Sequence, residues 1–110
     1  MRKIIILMVF LIGTDLIADV ELGEEVYKIN CAICHTVNGG SAIGPDFNIV
    51  SYKRRKNKIR DYIDNPANMY KEFGYSANAM PKIVLDKKEL NDVADYISSL
   101  QPFKKWMIKK

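Results

Sequence analysis

The stretch Cys31-Ala32-Ile33-Cys34-His35 places two thiols and one imidazole within about a turn and a half of helix. This spacing is the attachment signature of c-type haem. Each cysteine can form a thioether to a haem vinyl group, and the adjacent histidine then binds the iron as its proximal ligand. His35 is the only histidine in the chain. The motif therefore predicts covalent haem attachment, with one imidazole on the iron.

Three other roles of these side chains compete with haem attachment. A disulfide is the ordinary state of paired thiols in an exported protein, but it needs no histidine at the next position. A thiol-disulfide oxidoreductase would need alternating strands and helices around Cys31 and Cys34, which the sequence does not indicate. A zinc module would use both cysteines and His35, but the chain offers no convincing fourth ligand.

A polar, glycine-rich loop follows the motif and ends in Gly44-Pro45. In the haem interpretation, the loop brings Pro45 over His35, and the proline carbonyl accepts the proton of the ring nitrogen that does not bind iron. Such a hydrogen bond fixes the tautomer and the orientation of a ligating histidine. The alternative is an ordinary turn without a role at the iron.

Methionine supplies the candidates for the far side of the iron. Met80 stands in Asn78-Ala79-Met80-Pro81, a loop that ends in proline, from which its thioether sulfur can reach the metal. A methionine is more often a core residue than a ligand. Met69 is the competing ligand, and Met107 is a remote third.

Two helices are expected to hold these groups. The first leads into the cysteines, because apolar residues recur at helical spacing, namely Leu22, Val26, Ile29 and Ile33. Gly23 and Tyr27 lie on a neighbouring face together with Cys31, and Gly23 permits another helix to approach closely. The second begins at an acidic capping box, Asp86 to Glu89, and ends at Pro102. Its apolar stripe is expected to pack near Gly23 and Tyr27, and consists of Leu90, Val93, Ala94, Ile97 and Leu100.

The middle of the chain is less regular. Six of the eight residues from Lys53 to Arg60 are cationic, which is typical of a solvated face, although haem propionates or an acidic partner could also engage them. A short helix is predicted in the second half of this region, ending before Pro66. From Asn68 to Met80 the pattern predicts irregular structure with at most one helical turn.

The length of 110 residues suits a single globular domain. Arg2-Lys3 followed by the apolar run Ile4–Ile12 indicates a secretory signal peptide over residues 1–18, with the domain spanning residues 19–110. Removing the leader takes away Arg2, Lys3 and Asp15, which lowers the formal charge from +4 to +3. A periplasmic protein is therefore predicted, with no nucleic-acid partner, and with membrane contact only if the leader stays uncleaved.

The ordered set of Gly23, Tyr27, the Cys31–His35 motif, Gly44-Pro45 and Met80-Pro81, followed by the final helix, resembles class I cytochrome c, specifically the small bacterial proteins with one haem. The resemblance covers roughly residues 20–101. It implies an all-α fold of about four helices and loops around one covalent haem c, with the first and last helices crossing near one edge. It also implies that Cys31 and Cys34 form the thioethers, that Pro45 orients His35, and that His35 and Met80 ligate the iron.

The chain departs from the family pattern at Asp46-Phe47, where a small residue or proline and an aliphatic residue are more usual. It also has no tryptophan in its middle, so Tyr52 or Tyr62 is expected to contact the haem edge instead. Residues 74–81 and the tail from Phe103 to Trp106 are similar to cytochrome subunits paired with periplasmic sulfite dehydrogenases.

The resemblance therefore implies a periplasmic electron carrier, not an enzyme, which shuttles single electrons between a dehydrogenase and a terminal acceptor. The expected partners are redox proteins, among them a molybdenum-containing dehydrogenase. One alternative is a dedicated subunit of a sulfite dehydrogenase. The other is a ligand-binding or peroxidatic haem protein with a weak distal methionine.

Overall fold

A computed structural model describes residues 19–100 of the protein, and the expected leader, Met107 and the tail beyond Leu100 lie outside them. This part of the chain contains five helices and no strand, which confirms the all-α prediction. The helices are α1 (19–30), α2 (Phe47–Lys53), α3 (Lys56–Asp64), α4 (Pro66–Met69) and α5 (Lys87–Ser99). The expectation was about four, and the shortest of the five, α4, is a single turn. None of the helices within residues 19–100 has both the length and the apolar character needed to cross a membrane.

Helix α5 begins as its sequence predicts. The Asp86 carboxylate accepts a hydrogen bond from the Glu89 backbone N–H at 2.8 Å, and the Glu89 carboxylate accepts one from the Asp86 N–H at 3.0 Å. This reciprocal pair satisfies two backbone donors that the first turn would otherwise leave free. The stripe that follows forms the centre of the core, because Val93, Ala94 and Ile97 have no exposed surface.

Helix α1 crosses α5 at Gly23, as the sequence predicts. A Cβ atom at Gly23 would meet the Asp92 carbonyl oxygen, and would lie 2.6 Å from the Asp92 carbonyl carbon and 2.8 Å from the Tyr96 Cβ. One turn further along α1, the rings of Tyr27 and Tyr96 lie 5.6 Å apart. The two backbones therefore approach more closely than any side chain at position 23 would allow.

The face of α1 that is buried differs from its most regular apolar face. Leu22, Ile29 and Ile33 are 46%, 78% and 86% exposed, so of the four residues that indicated the helix only Val26 is buried. The neighbouring face with Gly23 and Tyr27 is buried instead. The reason is steric, because the close crossing at Gly23 determines which side of α1 meets α5.

Helix α2 was not predicted, whereas α3 was. Asp46 caps α2, and its side chain accepts a hydrogen bond from the Asn48 N–H, while Phe47 and Ser51 are buried. Helix α3 ends at Asp64, before Pro66, as expected, and it packs against α5 with Ile59 and Ile63 in the core. Helix α4 was not predicted, since it begins at Pro66 and overlaps only the start of the segment from Asn68 to Met80, for which irregular structure with at most one helical turn is predicted.

Several cations of the basic region make contacts within the protein. Lys56 pairs with Asp95 of α5 at 2.5 Å, and Lys58 pairs with Glu72 at 2.6 Å. The Arg54 guanidinium donates to the Phe73 carbonyl at 2.7 Å and lies 4.3 Å from the centre of the Phe73 ring. These side chains link α2 and α3 to their neighbours.

Substitution of Gly23 by alanine tests the crossing of α1 and α5. In an exposed helix this change stabilises by about 1 kcal/mol, but here we expect a loss of about 1–3 kcal/mol in the free energy of unfolding, because the new methyl group overlaps the α5 backbone. Guanidinium unfolding measures the difference. Glu21→Ala, on an exposed part of α1, is the control and should change stability by less than about 0.5 kcal/mol. A more stable Gly23→Ala protein would contradict this crossing.

Candidate functional site

The cysteine and histidine motif borders a cavity of about 390 Å³. This volume falls within the range of sites that hold a cofactor or other small molecule. Most of the lining side chains are apolar. The lining residues are Cys31, Cys34, His35, Ile43, Gly44, Pro45, Phe47, Val50, Ile59, Tyr62, Ile63, Phe73, Tyr75, Ser76, Ala77, Ala79, Met80, Pro81 and Ile97. The fold therefore brings distant parts of the sequence around one largely apolar space.

The His35 ring is held by a hydrogen bond to the backbone. Its Nδ1 atom lies 2.8 Å from the Pro45 carbonyl oxygen. A carbonyl only accepts, so Nδ1 must carry the proton, and in the neutral ring Nε2 keeps its lone pair. The residue predicted to orient His35 is thus in contact with it, and Nε2 is the atom available to bind a metal.

Two neighbours of Pro45 also restrict the ring. A Cβ atom at Gly44 would contact the His35 Cε1 atom and lie 2.6 Å from Nδ1, so the absence of a side chain is needed there. The Phe47 ring stacks on the His35 ring, with centres 4.4 Å apart and planes inclined by 25°. The imidazole is therefore confined by three residues of one short segment.

The backbone of the motif continues from α1 as a tight turn. The N–H groups of Cys31 and Ala32 both donate to the Tyr27 carbonyl, and those of Cys34 and His35 both donate to the Cys31 carbonyl. Cys31 and Cys34 do not form a disulfide. Burial, followed by the proximity of Cys34, raises the pKa of Cys31 to about 11. A raised thiol pKa is the opposite of what the reactive thiolates of disulfide oxidoreductases have.

Asp46 holds the loop that carries Pro45. Burial opposes its charge, but hydrogen bonds from the Thr36 hydroxyl and from the N–H groups of Asn48, Gly39 and Gly40 together outweigh this effect, so the pKa of Asp46 lies below its ordinary value. The Phe47 N–H also donates to the Thr36 carbonyl at 2.8 Å. The loop is therefore closed on itself around an ionised carboxylate.

The structure distinguishes between the candidate methionines. Met80, the predicted second ligand of the iron, lines the cavity and packs against the core. Met69 lies at the end of α4 and is not part of the lining. Met107 is outside the described residues. Of the two candidates that lie within residues 19–100, only Met80 lines the cavity.

The two candidate tyrosines, Tyr62 and Tyr52, lie in different positions relative to the cavity. Tyr62 lines the cavity, and its ring lies 4.6 Å from that of Phe73 and 5.9 Å from that of Tyr75. Burial, and then Tyr75, raises the pKa of Tyr62. Tyr52 does not line the cavity and is 42% exposed, because α2 directs Phe47 and Val50 towards it instead. The expectation of a cavity contact therefore applies to Tyr62 and not to Tyr52.

Sequence reasoning did not identify most of the wall residues, among them Phe47, Ile59 and Phe73, and it did not identify the steric requirement at Gly44. The signal for Phe47 was present, because Asp46 is a good helix N-cap and places the next residue in the first turn of a helix. No pattern pointed to Phe73, whose burial depends on Arg54 packing over its ring. Its role could be found only from the tertiary structure.

The donor set suits a covalently attached haem. Two thiols, an imidazole nitrogen with a lone pair and a thioether sulfur border one apolar cavity, and these are the groups that thioether attachment and axial ligation require. A zinc site fits less well, because Cys31, Cys34 and His35 do not form a cluster of converging ligand atoms among residues 19–100. The cluster that does converge consists of Asp19, Asp92 and Asp95, which Lys88 and Lys56 already contact.

Comparison with known proteins agrees with this interpretation of the site. Residues 20–101 match the family described as Cytochrome c. Cytochrome c6 of Gracilaria tenuistipitata var. liui is 34% identical over 82 residues, which are 73% of this chain and 71% of that protein. Cytochrome c-550 of Bacillus subtilis (strain 168) is 28% identical over 78 residues, which are 71% of this chain and 57% of that protein. No solved structure matches at a significant level.

The depressed pKa of Asp46 predicts a loss of stability in acid. Because its folded-state pKa lies below the unfolded value of about 3.9, its contribution is complete above that value and disappears as the pH falls towards the folded-state pKa. We expect Asp46→Asn to lower the free energy of unfolding by about 1–3 kcal/mol at neutral pH. Below the folded-state pKa the difference should shrink.

Guanidinium unfolding of the haem-loaded protein across the acid range measures this difference. Asp64→Asn is the control, since Asp64 is exposed at the end of α3, and its effect should be small at every pH. A destabilisation by Asp46→Asn that stays constant with pH would contradict the role of the Asp46 charge.

Proposed function

The chain belongs to the cytochrome c family, and we propose that it carries electrons in the periplasm with His35 and Met80 as iron ligands and Cys31 and Cys34 as attachment residues. Family membership makes it an electron-transfer protein with one covalent haem c, and a carrier that exchanges electrons with redox partners rather than an enzyme. The observation that carries the residue assignment is that all four side chains line one cavity.

The bound haem supplies a one-electron couple. The chain sets the properties of that couple through its two ligands. Pro45 accepts the Nδ1 proton of His35 and so leaves the Nε2 lone pair to bind iron, and the softer Met80 sulfur would favour ferrous iron and so raise the reduction potential. Two protein ligands leave no open coordination position. This favours outer-sphere electron transfer over the ligand-binding or peroxidatic alternative.

Electrons need a short route between the cavity and a partner protein. Ile43 lines the cavity and is 89% exposed, and Ile33, within the attachment motif, is 86% exposed. Exposed apolar residues beside the cofactor offer a small, readily desolvated contact surface, which suits the brief encounters of redox partners. We therefore place the exchange of electrons at this side of the cavity.

A finer proposal concerns the location and the electron donor. The leader pattern of residues 1–18 supports export to the periplasm. The resemblance of residues 74–81 and of the C-terminal tail to cytochrome subunits of sulfite dehydrogenases supports a molybdenum-containing dehydrogenase as the donor. Reduction of the purified protein by such a dehydrogenase and sulfite would test this pairing. Equally fast reduction by unrelated dehydrogenases would count against a dedicated subunit.

The choice of Met80 over Met69 is tested by optical spectroscopy. Ferric haem with a thioether ligand has a weak charge-transfer band at the red end of the visible spectrum, and we expect the band to disappear in Met80→Ala. Loss of the sulfur should also lower the reduction potential. Met69→Ala is the matched control and should keep both properties. A band that survives in Met80→Ala would refute the ligand assignment.

The attachment residues are tested in the double variant Cys31→Ala, Cys34→Ala. Wild-type protein should retain its haem on a denaturing gel, whereas the variant should not, because the thioethers are missing. Without haem we also expect the chain to lose most of its helical circular dichroism, since a small domain built around a cavity has too little core of its own. The control is Ala32→Ser, which keeps both thiols. A native helical spectrum without haem would contradict this expectation.

A further inference from the structure

We propose that Asp46 is a positioning residue for His35, and that by closing the loop after the attachment motif it helps to set the reduction potential. The inference rests on the proposed function, because it assumes that His35 ligates the iron. It adds a residue that the haem motif does not include. Asp46 is hydrogen-bonded to Thr36, Gly39 and Asn48 and does not line the cavity, so its action on the His35 ring must pass through its neighbours.

The Asp46 carboxylate uses both of its oxygens. Oδ2 accepts from the Thr36 hydroxyl at 2.7 Å and from the Gly39 N–H at 3.0 Å, and Oδ1 accepts from the Asn48 N–H at 2.9 Å. The residue is only 6% exposed. Hydrogen bonds to a buried, ionised acceptor are stronger than those between neutral groups. Asp46 is therefore a firm anchor for three separate points of the chain.

These points lie at the two ends and the middle of one loop. Thr36 directly follows His35, Gly39 lies in the turn, and Asn48 is in the first turn of α2. A second set of hydrogen bonds supports the first. Asn38, whose φ of 61° is left-handed, donates from its backbone N–H to the Asn48 side-chain oxygen at 2.7 Å. The side chains of Asn38 and Asn48 also pair at 3.2 Å. These hydrogen bonds fix the loop from within.

The residues on either side of Asp46 are the ones that contact the His35 ring. Pro45 accepts the Nδ1 proton at 2.8 Å, and Phe47 stacks on the ring at 4.4 Å. A shift of the backbone at Asp46 would move both contacts together. Anchoring Asp46 therefore holds the Pro45 carbonyl in line with Nδ1 and Phe47 against the ring.

This geometry has a chemical consequence. A hydrogen bond that accepts the Nδ1 proton makes Nε2 more basic and so a stronger donor to a metal. A stronger donor stabilises ferric more than ferrous iron, which lowers the reduction potential. Loosening the Asp46 anchor should weaken the bond from His35 to Pro45 and raise the potential.

The negative charge of Asp46 itself favours ferric iron and so lowers the potential directly, which means that Asp46→Asn raises the potential by either route and that the test must separate charge from position. Asp46→Asn keeps the shape of the side chain but replaces one carboxylate oxygen with an amide N–H₂ group. Because both oxygens of Asp46 accept hydrogen bonds, this N–H₂ group meets another donor in either orientation of the amide. Thr36→Val keeps the charge and removes one donor to Oδ2. If position matters, both variants should raise the potential. If only charge matters, Thr36→Val should not raise it.

A second measurement reports on the ring itself. In the reduced, diamagnetic protein, NMR can follow exchange of the His35 Nδ1 proton with solvent. We expect exchange to be about tenfold faster in Asp46→Asn, the factor that corresponds to losing about one net hydrogen bond. Thr36→Val should show a smaller acceleration. Asp64→Asn removes an exposed carboxylate outside the loop and serves as the control for charge, with unchanged exchange.

The outcomes are distinct. Faster exchange and a higher potential in both loop variants support the proposal. Unchanged exchange in both, or a higher potential in Asp46→Asn alone, overturns it. If Asp46→Asn fails to take up haem, the exchange rate and the potential of Thr36→Val alone test the proposal: a rise in both supports it, and no change in either overturns it. If wild-type protein binds haem but its His35 signals lack the shifts of an iron-bound imidazole, the proposed ligation fails, and this inference with it.

Discussion

The site depends on one imidazole ring being held at one angle by a backbone carbonyl. The bond from His35 Nδ1 to the Pro45 oxygen selects the tautomer, and the tautomer leaves Nε2 as the lone-pair donor. The surrounding features protect this bond, from the missing side chain at Gly44 to the stacked ring of Phe47. A histidine in the same sequence motif without this support could rotate, and its strength as a ligand would then vary with the motion.

The helices form the cavity in which this hydrogen bond lies, and they do so in two ways. The crossing of α1 and α5 at Gly23 fixes the start of the attachment turn against the core, because Cys31 follows Tyr27 by one helical turn. Helices α2 and α3 pack on α5 and contribute the opposite part of the lining through Val50, Ile59 and Ile63. The resulting fold encloses a space that side chains do not fill. In a chain of this size, the prosthetic group is therefore part of the hydrophobic core as well as the redox centre.

Features that depend on local chemistry could be predicted from the sequence. Short-range rules account for the attachment motif, the capping box of α5 and the end of α3 before Pro66. The buried face of α1 could not be predicted in this way, since three of its four regularly spaced apolar residues are exposed. Which face is buried is decided by the partner helix. For the same reason, Tyr62 could not be separated from Tyr52.

The ion pairs of the basic region bear on how salt acts on the protein. Lys56 and Lys58 already have acidic partners in their own chain, and the Arg54 guanidinium is bound to the Phe73 carbonyl. Three of the six cations in this part of the sequence, Lys56, Lys58 and Arg60, thus lie beside a carboxylate, and these pairs contribute little to a field that reaches a Debye length into solution. Raising the ionic strength would therefore weaken the ion pairs between α3 and its neighbours rather than slow the approach of a partner. The number of cations in the sequence therefore overstates the long-range attraction that this surface can exert.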